Sequence, residues 1–119
     1  MLGGMDAARA IADLTEISPQ VRDVAVIAAD GSVVGSNAPA ATAQRLAAVG
    51  RRLLDEAERI RPGGVAQLEA ATLAGSVFVV RDGARLISAT TSPEPTVGLV
   101  FYDLKSCLKS VDEEPGGGS

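Results

Sequence analysis

Histidine is missing from this chain, and cysteine occurs once, at Cys107. The first absence removes Ser-His-Asp and Cys-His catalysis, HExxH zinc sites and every imidazole general base. The second excludes an intramolecular disulfide and a thiolate zinc site, and it fits a reducing, cytoplasmic setting. Cys107 itself reads as a small buried hydrophobe rather than a redox group. Aromatic residues are scarce: Phe78, Phe101 and Tyr102 are all there are, which argues against a rich small-molecule pocket. No apolar run approaches the ~20 residues of a membrane-crossing helix. Leu2 stands where a myristoylation signal needs glycine, so neither insertion nor lipid anchoring is expected. A basic surplus is lacking too. With 11 Lys and Arg against 15 Asp and Glu, the formal charge is −4, the wrong sign for a partner made of nucleic acid.

What the chain does have is enough apolar residue for one core. At 119 residues and 46% hydrophobic content, a single domain is expected. It should span residues 6–111, after a loose lead at 1–5 and before a disordered acidic and Gly-rich tail at 112–119. Ala7, Ala10, Ile11, Leu14 and Ile17 share one side of a short first helix that Asp6 caps and Ser18-Pro19 stops. Two β-rich pairs follow the same punctuation. A strand from about Val21 or Val24 to Ala29 and a second from Ser32 to Ser36 flank Asp30-Gly31, and Gly75 to Arg81 and Ala84 to Thr91 flank Asp82-Gly83, dipeptides suited to tight type I′ turns. Between the hairpins, a second helix begins near a Thr42 cap, runs to Arg61 and ends at Pro62-Gly63-Gly64. A strand then covers Val65 to Thr72. Val97 to Lys109 suits either a strand or a helix; Val97, Val100, Phe101, Leu104 and Leu108 line one helical face, and Pro95-Thr96 favours a helix start. Leu99 and Tyr102 fall off that face.

The second helix carries the strongest functional signal. Its apolar residues fill an arc of roughly 160°, wider than the ~100° stripe that covers one sheet. Ala43, Ala47, Gly50 and Leu54 form one flank of the arc, where small side chains let another helix approach. Either a partner's helix or the first or third helix of this domain is expected there. The outer side carries Arg45, Arg51, Arg52, Asp55, Glu56, Glu58 and Arg59, with Arg51–Asp55, Arg52–Glu56 and Asp55–Arg59 at the i,i+4 spacing of solvated ion pairs. Nothing in the sequence provides phosphate chemistry: G-x-x-x-x-G-K-[ST] and G-x-G-x-x-G after a strand are both absent, so no GTPase activity and no cofactor are expected. Asp55-Glu56 and Asp112-Glu113-Glu114 lack the second constellation that acid–base or metal chemistry needs.

The order helix, hairpin, helix, three strands, helix resembles the Roadblock/LC7 family. The likeness rests on Leu14-Thr15-Glu16-Ile17-Ser18-Pro19 before the first hairpin, Gly75 to Gly83 in the second, and an actinobacterial type of ending at Pro95 to Leu104. It spans about Ala7 to Lys109, and its weight lies in the order of ordinary pieces. The resemblance implies an α/β fold with a five-stranded antiparallel sheet flanked by helices in the profilin-like arrangement. It also implies a non-catalytic regulator of a small Ras-like GTPase, with a sensor-kinase-like protein as a further partner. Roadblock domains pair through the second helix and the following strand. Here that implies a homodimer interface at Ala43, Ala47, Gly50 and Leu54 with Gln67, Leu68, Glu69 and Ala70, and GTPase contacts at Arg45, Arg51, Arg52, Asp55 and Arg59. No residue is identified as an arginine finger. The rival readings are a small-molecule-sensing profilin/PAS-like domain and, weakest, an enzyme.

Overall fold

The computed structural model describes residues 6–111; the expected lead and tail lie outside them. Helix α1 (Ala7–Ile17) forms as its spacing dictates, burying Ala7, Ala10, Ile11 and Leu14. The Asp6 carboxylate accepts the Arg9 N–H at 2.8 Å, satisfying one orphan donor of the first turn. The Ser18 N–H closes the other end on the Leu14 carbonyl at 2.9 Å. Strand β1 (Val21–Ile27) is continuously apolar from Val24 to Ile27, where both of its faces are covered. β2 (Val33–Ser36), α2 (Ala40–Ile60), β3 (Gln67–Thr72), β4 (Gly75–Asp82), β5 (Arg85–Thr91) and α3 (Val97–Ser110) complete the chain. The strands form one antiparallel sheet in the order β2-β1-β5-β4-β3.

Two cores lie on the two faces of this sheet. On one side α1 and α3 cover Val24, Val26, Phe78, Val80, Ile87 and Ala89, with Phe101 set edge-on against Phe78 at a centroid distance of 4.9 Å. On the other, α2 lies alone over Ala25, Ile27, Val79 and Leu86. The third helix is therefore a helix throughout. Val100, Leu104 and Leu108 are fully buried, and Arg85 donates to the Leu108 and Val111 carbonyls at 3.3 and 3.2 Å, placing a cation at the negative end of the helix.

Several expectations are corrected. The second hairpin pairs Asp82 with Arg85, so its loop is Gly83-Ala84 rather than Asp82-Gly83. Gly83 has φ +65° while Ala84 stays at negative φ, which is the demand of a type II′ turn, glycine at the first central position. The first hairpin has a longer loop: Gly31 N–H bonds the Ala28 carbonyl and Ala28 N–H bonds the Ser32 carbonyl, both at 2.9 Å. Asp30 stabilises it by accepting the Ser32 N–H and hydroxyl at 2.9 and 2.7 Å, bonds that hold its carboxyl below the usual range. A third hairpin, turning at Leu73-Ala74 between Thr72 and Gly75, has no sequence signal. It is held by the Thr72 hydroxyl, which donates to the Gly75 carbonyl at 2.6 Å and accepts from Ala74 N–H at 3.1 Å. Helix α2 starts at Ala40 with Pro39 in the cap position and no side-chain cap, so Thr42 lies inside it. β1 ends at Ile27 rather than Ala29, and β2 and β3 start later than expected, at Val33 and Gln67.

Candidate functional site

The interaction-bearing part of the molecule is α2 with the strand after it. Ala43, Leu46, Ala47, Gly50 and Leu54 point down onto the sheet and are buried. A Cβ on Gly50 would sit 3.1 Å from the Ser88 side chain, so glycine here lets the helix approach its own sheet. The small-residue flank is thus occupied within the domain, by strands rather than by α1 or α3, which lie on the opposite face. That corrects the reason for expecting a partner there. The excess apolar width is real, but it lies on the other shoulder. At 100° per residue, Val49, Leu53 and Ile60 share one side of α2; Val49 is 42% and Ile60 82% exposed, and Leu53 packs only partly against the core. Gln44, Ala48 and Arg51, on the opposite shoulder, line a depression against Ile27 and Gly31 of the first hairpin.

Strand β3 is a free edge. Arg81 N–H donates to the Ala66 carbonyl at 2.8 Å; with Leu68 opposite Val79 and Ala70 opposite Val77, alternation turns the N–H and C=O groups of Gln67, Glu69 and Ala71 outward. Leu68 and Ala70 share the α2 face of the sheet with Val79 and Val77. Glu69, on the other face, accepts the Ser76 hydroxyl at 2.8 Å.

Arg45, Arg51, Arg52, Asp55 and Arg59 are all exposed. The i,i+4 pairs expected among them do not form; the salt bridges of the described residues include Arg9–Asp13 at 4.0 Å and Glu58–Arg81 at 3.6 Å but none of these five. Arg45, Arg52 and Arg59, spaced by seven, make a stripe along the outermost line of the helix, about 10 Å between successive members.

Glu58 has a role that sequence reasoning missed. Its carboxylate accepts the N–H groups of Gly63, Gly64 and Val65, each at 2.9 Å, and thereby ties the end of α2 to the start of β3. These bonds, helped by Arg81, pull its pKa from 4.5 down to about 2. A glutamate five residues before Gly63-Gly64 was the available signal. Because the folded value is depressed, the clasp stabilises fully above pH about 4.5 and is lost as pH falls through about 2. Glu58→Ala should speed hydrogen exchange at Gly63, Gly64 and Val65 at neutral pH; equal rates in both proteins at neutral pH would show the clasp to be idle.

A single helix on one face of an antiparallel sheet in the order 2-1-5-4-3, and two helices on the other, define a three-layer α/β domain. That arrangement is the Roadblock/LC7 fold. A Roadblock/LC7 domain from Streptomyces avermitilis superimposes with a TM-score of 0.78 at 18% identity, over 89% of this chain and 94% of that one. MglB of Myxococcus xanthus gives 0.68 at 14% identity over 87% and 83%. An MglB in a tetrameric arrangement gives 0.68 at 13% identity over 88% and 84%. By sequence, no protein-family model and no curated protein matches the chain. Among the described residues no helix is long and apolar enough to cross a membrane.

Proposed function

We propose that this chain is a non-catalytic regulator of a small Ras-like GTPase, acting as a homodimer. The observation that carries the reading is the Arg45–Arg52–Arg59 stripe, exposed on the one helix that stands alone on its face of a Roadblock/LC7 fold. Guanidinium groups already committed to intrahelical ion pairs would have to break them to bind; these three are uncommitted. Their fixed forks suit carboxylates on a partner surface. Dimerisation through β3 and the Val49–Leu53–Ile60 shoulder would bring two such stripes into one surface that a monomer lacks. Charges on such a rim govern association rate and salt dependence more than fold stability.

The test is capture of a Ras-like GTPase from lysate of the source cells, read by mass spectrometry, with GTP- and GDP-loaded partner compared afterwards. Arg45→Glu, Arg52→Glu and Arg59→Glu combined should abolish capture while leaving the melting temperature within a few degrees of the parent, since exposed substitutions typically change stability by about 0.5 kcal/mol or less. Undiminished capture by the triple variant overturns the docking face, and then the exposed Leu99 and Tyr102 of α3 become the surface to test. A thermal shift with small metabolites in the absence of any GTPase would instead favour the sensing domain. A sensor-kinase-like protein upstream belongs to the same proposal and would appear in the same capture.

A further inference from the structure

On the face of the sheet away from α2, helices α1 and α3 leave a cleft of about 350 Å³ between them. Its floor is apolar: Leu14 and Cys107 are buried, and Ile17, 67% exposed, stands at the rim. Its polar lining is one-signed. Asp13, Glu16 and Asp103 all face it, and among the described residues no Lys or Arg does.

Asp103 is the residue that needs explaining. Its side chain sits in the buried layer of α3 at 8% exposure, between Val100 and Cys107, yet no hydrogen bond or salt bridge engages it among the described residues. A buried carboxylate without a partner is costly. Among the described residues, the sealed side-chain polar atoms without a partner are the hydroxyls of Ser18 and Ser88; the Asp103 oxygens are not among them, so they open into the cleft. Asp13 is only loosely engaged by Arg9, at 4.0 Å and on the solvent side. Burial first, and then the Asp13 carboxylate, push the Cys107 thiol up to about 11, so the thiol stays neutral and adds nothing to the cleft's charge. A metal ion does not answer the need, because no group of three ligating side chains among the described residues converges to hold one.

We propose that the α1/α3 cleft docks an amphipathic, lysine- or arginine-bearing helix of a partner protein, whose cationic head pairs with Asp103 while its apolar side packs on Leu14, Ile17 and Cys107. A long cationic side chain matches both parts of the cleft, since its methylene stem covers apolar surface and only its tip carries charge. The carboxylate stays uncompensated in the free protein and becomes compensated on binding, which is the differential that selects a cation over a neutral residue. The cleft lies across the sheet from α2, so the inference stands independently of the GTPase reading.

The experiment is an amide NMR titration of the full chain with a short helical Leu/Lys peptide, with its Lys→norleucine counterpart, and with Mg²⁺ and Ca²⁺ alone. The Leu/Lys peptide should shift the amides of residues 10–17 and 103–110 saturably, and the norleucine peptide should bind at least about tenfold more weakly. Asp103→Asn should also weaken binding about tenfold while raising the melting temperature, because a buried charge is removed. Glu56→Gln, an exposed carboxylate on α2, controls for the chain's overall acidity and should bind as the parent does. The proposal is overturned if Asp103→Asn binds as the parent does, if Glu56→Gln weakens binding equally, if the shifts map elsewhere, or if a divalent ion alone reproduces them.

Discussion

Leu54→Arg should abolish the cooperative thermal transition of this domain, and Leu54→Ala should lower its midpoint by about 10 to 30 °C. Leu54 is 2% exposed and packs in the α2-side core with Ala25, Ile27, Leu46, Ala47, Val79 and Leu86. Truncating such a leucine costs about 2–5 kcal/mol, and each kcal/mol moves the midpoint of a domain this size by roughly 4–8 °C. The arginine variant loses the same packing and must also bring a guanidinium beneath α2, where no carboxylate waits for it. Its cost exceeds the truncation's and approaches the whole stability of a small domain, about 5–15 kcal/mol. Ala47→Glu, 7% exposed in the parent, should behave in the same way. Circular dichroism melts decide the matter. A folded, thermally stable and merely monomeric Leu54→Arg protein would mean that this flank of α2 faces a partner and not its own sheet.

The difference between those outcomes is what the sequence left undetermined. The apolar arc of α2 was legible from spacing, and so was its excess width. Which edge of a wide arc is the excess depends on how the helix is rolled over the sheet, and Ala, Gly and Leu at positions 43, 47, 50 and 54 suit close approach to strands as well as to another helix. Hairpins marked by Asp30-Gly31 and Asp82-Gly83 were legible because glycine is needed at positive φ, although the loops around them differ. The Leu73-Ala74 turn was not, since its stabilising bonds come from the Thr72 hydroxyl and neither central residue has turn chemistry. The arginine stripe could be read from its seven-residue spacing. The failure of its ion pairs could not, because i,i+4 spacing permits such pairs without requiring them. Asp103 was overlooked for a related reason: the apolar residues around it define the face, but its positions three after Val100 and four before Cys107 already put a carboxylate on it.

The other large effect concerns assembly. The parent chain should elute as a dimer by light scattering on a sizing column at micromolar concentration, and Val49→Asp with Ile60→Asp should convert it to a folded monomer. Two unsatisfied features adjoin at this edge: the apolar shoulder of α2, with Ile60 82% exposed, and β3, whose outward N–H and C=O groups at Gln67, Glu69 and Ala71 have no strand to pair with. Exposed edges of this kind invite a second copy unless they are blocked. Proline and lysine, two of the usual blocks, are missing from Gln67-Leu68-Glu69-Ala70-Ala71-Thr72, and the one charge, Glu69, is tied down by the Ser76 hydroxyl of its own sheet. Antiparallel pairing of two β3 strands about a two-fold would extend the sheet and lay the two shoulders together, an isologous contact in which each patch meets its own copy. Burying a fully exposed isoleucine contributes about 1.5–3 kcal/mol. Replacing it and Val49 by aspartates, in both copies, should therefore raise the dissociation constant at least a hundredfold, about 2.7 kcal/mol. Ala71→Pro tests the ladder separately, because it removes one outward N–H from a position that makes no bond to β4, and an edge strand tolerates proline there. Both variants should keep the parent's far-ultraviolet circular dichroism. If the parent itself is monomeric at tens of micromolar, or if both variants remain dimeric, the edge and shoulder are not the assembly surface, and the two arginine stripes have no reason to lie side by side.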